Sequence, residues 1–206
     1  MNLQLIGMEK KILAKGAEAI IILEKDRIIK KRIKKSYRLK LIDEKLRKSR
    51  TKSEVRIMNK LSSIVDIPKI IFSDEKEIIE MEYIEGKKLS EDLEKLDYEK
   101  ICKLIAENIT KLHDCDIIHG DLTTSNMILK KDRVFFIDFG LSFHSKRIED
   151  KAVDLHLFKQ ALEAKHFSIY EKCWNMIKEN YKAKDYKEIL ERIKKIESRG
   201  RYKERY

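Results

Sequence analysis

The segment Ile118-His119-Gly120-Asp121-Leu122-Thr123-Thr124-Ser125-Asn126, with Phe136-Ile137-Asp138-Phe139-Gly140 shortly after it, constrains this chain more than any other feature. Phosphoryl transfer from ATP needs a carboxylate near the attacking hydroxyl, a metal bridging phosphate oxygens and a cation on the phosphates. A loop Asp with an Asn five positions later supplies the carboxylate and one metal ligand; an Asp-Phe-Gly after a short strand supplies the second ligand. Mg²⁺ takes hard oxygen donors from one or two carboxylates plus the phosphates. Asp121, Asn126 and Asp138 meet that demand. Any one of them alone reads as a turn residue or a helix cap; all three, with strand-like runs between Asn126 and Asp138, point to a site.

The surrounding pattern is that of a small sheet followed by a mostly helical half. Residues 10–15, 17–23 and 27–32 alternate or cluster β-branched residues, with Lys25-Asp26 as a tight turn. Residues 37–63 read as a helix whose apolar stripe is Leu41, Leu46, Val55, Met58 and Leu61. Pro68 precedes two further strands, 69–72 and 77–83, joined at Ser73-Asp74. A break at Glu85-Gly86 leads to a short helical segment near Ser90. A longer helix over 98–115 follows, with Ile101, Leu104, Ile105, Ile109 and Leu112 on its buried face. A loop over 116–125, strands at 126–130 and 133–137, and helices near 150–164, 167–180 and 185–197 complete the chain. The expected fold class is α+β: a minimal two-lobed arrangement with an N-lobe antiparallel sheet plus one helix (1–83), a reduced helical C-lobe (84–197) and a basic tail (198–206).

The net charge of +11 is concentrated. Residues 25–60 carry 16 Lys or Arg against four Asp or Glu, and Arg192–Tyr206 carries seven against two. Basic surfaces attract phosphate, and the usual large phosphate partner is nucleic acid; the alternative is a solvated helix face. No apolar run approaches the ~20 residues that cross a bilayer, and the N-terminus lacks a signal-peptide pattern, so a cytoplasmic protein without a membrane partner is expected. Three cysteines without CxxC spacing indicate neither a disulfide framework nor a zinc site. The Lys/Glu-rich, Gln-poor composition is that of hyperthermophile proteins.

The motifs resemble those of the protein-kinase superfamily across nearly the whole sequence. The resemblance implies a phosphate-binding lysine on the third strand and a partner glutamate on the following helix. Lys30 is the candidate lysine; Lys31 and Arg32 compete, but β alternation turns Lys31 to the other face. Glu54, one of few acids in a basic stretch, is the candidate partner. Glu82 and Ile84, within Met81-Glu82-Tyr83-Ile84-Glu85-Gly86, would present backbone to adenine. Gly16 and Ala17 stand where a glycine-rich phosphate loop would be, with one glycine instead of three. Asp154 would hydrogen-bond the catalytic loop backbone, and His119 would brace that loop. Two departures stand out: His-Gly-Asp lacks the usual arginine, and only about ten residues separate Gly140 from the next helix, with no Ala-Pro-Glu. The peptide-docking platform of ordinary protein kinases is therefore missing.

His119-Gly120-Asp121-Leu122-Thr123-Thr124-Ser125-Asn126 is similar, more narrowly, to the signature of the small atypical kinase of the KEOPS complex, also called PRPK. Gly16-Ala17-Glu18-Ala19, Tyr37-Arg38, Arg50-Thr51, Glu149–Leu155 and Ser198-Arg199-Gly200-Arg201 agree with it. This resemblance implies an archaeal Mg-ATP-dependent serine/threonine kinase or ATPase with weak autophosphorylation. It implies work beside a threonylcarbamoyl transferase subunit, possibly fused, and other KEOPS subunits in tRNA modification. Lys30, Glu54 and Asp121 would act on ATP, and Asn126 and Asp138 would hold Mg²⁺. The tail and the basic N-lobe helix would contact tRNA. The alternatives are a kinase-like scaffold that binds tRNA and partner subunits, and a RIO-type protein kinase.

Overall fold

The computed structural model describes residues 10–201, with side chains through Ser198. The chain forms two compact units. One runs through Asn59 and takes in Pro68–Tyr83; the other comprises Lys60–Ile67 and the chain from Ile84 onward.

The first unit is built on an antiparallel sheet of five strands. They are β1 (Lys10–Lys15), β2 (Ala19–Glu24), β3 (Arg27–Arg32), β4 (Ile70–Ser73) and β5 (Ile78–Glu82), in the order β1-β2-β3-β5-β4. Lys25 takes a left-handed φ of 58° in the two-residue link between β2 and β3. The Asp74 carboxylate accepts from the backbone N–H groups of Lys76, Glu77 and Ile78, which fixes the turn between β4 and β5. In β3 the pleat buries Lys30 and Arg32 and exposes Lys31.

Helix α1 (Lys40–Leu61) corrects the expected stripe. Leu41 and Leu46 are exposed. The buried positions before Ile57 are Asp43, Thr51 and Glu54, and only the end of the helix, at Ile57, Met58 and Leu61, is buried and apolar. These polar residues are bonded. Thr51 accepts from Arg32 Nε at 3.1 Å and donates to the Lys76 carbonyl at 3.1 Å, and Asp43 accepts from Arg47 Nε at 2.8 Å. Met58 and Leu61 are buried as the stripe predicts, but hydrophobicity alone misses the first half of the helix, where the buried groups are polar or charged and paired.

In the second unit, residues Lys60–Ile67, which the sequence boundary assigned to the first lobe, are held by their neighbours there. Lys60 Nζ donates to the Cys115 carbonyl, and Phe136 N–H donates to the Asp66 carbonyl, both at 2.8 Å. A two-residue strand, β6 (Lys87–Lys88), pairs with β8 (Met127–Lys130), which pairs with β9 (Arg133–Phe136). Gly86 is required here because a Cβ would stand 2.4 Å from the Leu129 carbonyl oxygen. Helix α2 (Leu89–Asp92) lasts four residues and passes into a 3₁₀ turn, Leu93–Lys95.

Helix α3 (Tyr98–Asp114) is capped by Asp97, whose side chain accepts from Lys100 N–H at 3.1 Å. Its face at Ile101, Ile105, Ile109 and Leu112 is fully buried. The expected loop over 116–125 contains a strand, β7 (Ile117–Ile118), paired with β10 (Phe143–His144), and a 3₁₀ turn at Thr124–Asn126. Helices α4 (Ile148–Lys165), α5 (Tyr170–Asn180) and α6 (Tyr186–Arg201) follow; α6 passes through Gly200 rather than ending near 197. Cys102 and Cys173 are buried free thiols. No helix of the described residues is long and apolar enough to cross a membrane.

Candidate active site

In the first unit, Lys30 Nζ donates to Glu54 Oε1 at 2.6 Å. Arg32 donates to the other oxygen, Oε2, at 2.5 Å. All three side chains are at most 7% exposed. Arg32, which competed with Lys30 in the sequence, thus shares its glutamate. Glu18, in the bend after Gly16 and Ala17, pairs with Arg50 of α1 at 2.6 Å. Lys35 Nζ donates to the Ala17 carbonyl. The Gly16 N–H is spent on the Ala19 carbonyl at 3.0 Å. The Glu82 N–H is likewise spent, on Lys69 at 2.9 Å. Ile84 is buried.

In the second unit, β7 delivers the chain to a loop tied at several points. Asp154 of α4 accepts from His119 N–H at 2.8 Å with one oxygen and from Gly120 N–H at 2.9 Å with the other. Ser142 Oγ donates to the His119 carbonyl at 2.8 Å. Thr124 Oγ1 and His166 Nε2 share a hydrogen bond of 2.9 Å. The Asn126 amide nitrogen donates twice to Asp121, to Oδ2 at 2.8 Å and to the carbonyl at 3.0 Å. Asp121 is thereby oriented by the residue five positions on, a bond within the motif that the spacing, read as one carboxylate and one metal ligand, did not anticipate.

His119 is buried against Phe136 and Phe139, with ring centroids 6.1 and 4.9 Å away. Burial pushes its pKa down, opposed by the negative charges of Asp154, Asp138 and Asp121. A neutral, enclosed ring suits a brace. Behind it lies a chain of buried groups that the sequence did not reveal. Tyr181 OH bonds His113 Nδ1 at 2.7 Å, and His113 Nε2 reaches Asp154 Oδ2 at 3.3 Å. The one available signal was His113 at the end of the buried, mostly apolar face of α3.

Asp138 follows β9 with a left-handed φ of 65°. That conformation is uncommon for a residue with a side chain and is tolerated best by Asp and Asn. Gly140 N–H donates to Asp138 Oδ1 at 3.1 Å, and Phe139 is buried while Asp138 is exposed. The donor chemistry fits Mg²⁺. Asn126 commits its nitrogen to Asp121, which leaves its amide oxygen for a cation, and Asp138 contributes a carboxylate. No group of three or more His, Cys, Asp or Glu suited to a metal occurs among the described residues. A site of two protein oxygens completed by phosphates and water is the form Mg²⁺ takes in ATP enzymes.

A model of the RIO domain matches residues 21–155. The KEOPS complex subunit Bud32 of Pyrococcus abyssi is 45% identical over 214 aligned residues, covering 95% of this chain and 97% of that protein. The chain belongs to the Bud32 family. Full-length identity decides this among the RIO-type proteins. Other similar segments occur inside longer chains. A probable bifunctional tRNA threonylcarbamoyladenosine biosynthesis protein of Methanobrevibacter smithii is 42% identical over 93% of this chain, which spans only 36% of that protein's length. Among solved structures, the ADP-bound aminoglycoside phosphotransferase APH(2'')-Ib aligns with a TM-score of 0.56 at 14% identity, over 92% of each chain. That likeness establishes a kinase-like fold for this Bud32 family member. The side chains of the basic tail from Arg199 onward lie outside the described residues.

Proposed function

We propose that this chain is an Mg-ATP-dependent atypical serine/threonine kinase or ATPase, acting in the cytoplasm as a KEOPS subunit that supports threonylcarbamoyladenosine modification of tRNA. The buried Lys30–Glu54 pair at 2.6 Å carries the enzymatic part of the reading. A buried ion pair stabilises little relative to apolar residues of the same volume, so a scaffold has no need of one. A phosphate-binding lysine does need a carboxylate to orient it. The assembly part is supported by the name of the Pyrococcus abyssi relative and by those of the fused relatives, which pair a similar chain with threonylcarbamoyladenosine biosynthesis.

In this reading Asp121 orients the attacking water or hydroxyl and accepts its proton, held in place by Asn126. Lys30, kept in position by Glu54, binds ATP phosphates, with Ala17 N–H as a backbone donor. The backbone at Glu82 and Ile84 receives adenine. Asn126 and Asp138 would hold Mg²⁺, which when bound neutralises charge on the transferring phosphate. Weak autophosphorylation follows if a protein hydroxyl replaces water.

The test is hydrolysis of γ-labelled ATP by wild type and Asp138→Ala, alone and with the threonylcarbamoyl transferase partner and tRNA. Free phosphate should be released by wild type, rise with partner and tRNA, and fall to background in Asp138→Ala or on chelation of Mg²⁺. Label accumulating on protein selects the kinase over the ATPase. Unchanged turnover in Asp138→Ala refutes the site.

A further inference from the structure

Away from the catalytic loop, helices α4, α5 and α6 enclose a groove of about 780 Å³. Its lining includes Lys159, Trp174, Lys178, Lys187, Lys194 and Ile193. Two glutamates also line it, but each is already engaged: Glu197 accepts from Lys159 at 2.6 Å and Glu191 from Lys194 at 2.7 Å. Lys178 and Lys187 make no hydrogen bond or ion pair among the described residues. The groove therefore presents two uncompensated ammonium groups over a largely apolar floor, with Lys159 Nζ 5.9 Å from the centre of the Trp174 ring. A concave surface of one charge sign concentrates counter-ions of the other. The volume lies in the range of small-ligand sites, enough for phosphates with their sugars.

The groove is continuous with the second basic region of the sequence. Lys187 and Lys194 stand seven residues apart on α6, which keeps them on one side of the helix. The α6 backbone runs on to Arg201, within the segment that carries seven basic residues against two acids. A polyanion lying along α6 would meet Lys187 and Lys194 on the way to the end of the helix at Arg201.

We infer that the α4–α5–α6 groove is an anion site that takes the phosphate backbone of RNA. The choice of RNA rests on the tRNA part of the proposed function; the anion chemistry rests on Lys178 and Lys187. Trp174 is the only tryptophan of the chain, so its emission reports on this groove alone.

The experiment titrates the full chain with an unmodified tRNA transcript, following Trp174 fluorescence and binding affinity at several salt concentrations, for wild type and Lys178→Gln/Lys187→Gln. Both lysines are at least partly exposed and unpaired, so the double variant should melt and hydrolyse ATP like wild type. The groove predicts a saturable emission change in wild type that the variant loses, with affinity down about tenfold. The slope of log K against log salt should become shallower by about 1–2, the loss of two phosphate contacts. A variant with wild-type affinity and slope overturns the groove and leaves the proposed function standing. Wild type that turns over ATP but binds no tRNA removes both the groove and the RNA part of that function. Phosphatidylglycerol vesicles that change Trp174 emission where tRNA does not would also overturn the proposal, by assigning the anion to a lipid headgroup.

Discussion

Gly120 shows how one atom decides a motif. Its φ is +78°, and a Cβ there would stand 2.6 Å from the Leu141 carbonyl oxygen. The missing arginine of His-Gly-Asp is thus a steric requirement of this loop as well as the absence of a phosphate receptor. Gly120→Ala should cost about 2 kcal/mol from the left-handed backbone and the forced shift of Leu141 together. At about 2–4 °C per kcal/mol for a chain of this size, a thermal melt should show the midpoint several degrees lower. Glu54 serves two cations at once. Glu54→Gln removes the charge facing Lys30 and Arg32 and should destabilise the first unit by about 3 kcal/mol in urea unfolding, with ATP turnover lost. Retention of both stability and turnover would contradict the role given to Glu54.

Element by element, legibility followed sequence distance. Asp121, Asn126 and Asp138 stood out because they lie close together in the chain, as did the strands β2 to β5, whose β-branched residues are bounded by turn residues. Helix α1 was found and its buried end at Met58 and Leu61 was read correctly, but its first half was misread, because Asp43, Thr51 and Glu54 are buried there through hydrogen bonds and ion pairs. The two-residue strands β6, β7 and β10 left no periodic trace; they exist through pairing with distant segments. Asp154 and His119 were implied by the resemblance, but the groups behind them were hidden for the same reason: His113 is 41 residues from Asp154 and 68 from Tyr181, and Thr124 is 42 from His166. Tyr181→Phe isolates one such bond. It should cost about 1–2 kcal/mol, the price of leaving His113 Nδ1 unpaired in a buried site, and should be measurable by chemical denaturation.

For the whole molecule, acid stability is the accessible test. Burial lowers the pKa of His166, opposed by Glu94 at 3.7 Å and reinforced by Lys165; burial lowers that of His119 as well. Below about pH 6.5 the unfolded chain takes up protons that these two folded rings refuse. Their contribution is therefore complete above that pH and is lost as the pH falls toward their folded values. The urea midpoint should decline between pH 7 and pH 5, and His119→Leu should flatten that decline; an unaltered slope in this variant would remove His119 from the account. The stretch between Gly140 and α4 has a further consequence. Phe143 and His144 are paired with Ile118 and Ile117, Ser145 N–H donates to the Asp116 carbonyl at 2.9 Å, and Ser142 clasps His119. A strap stitched this closely to the loop it follows has no slack for a phosphate to take up.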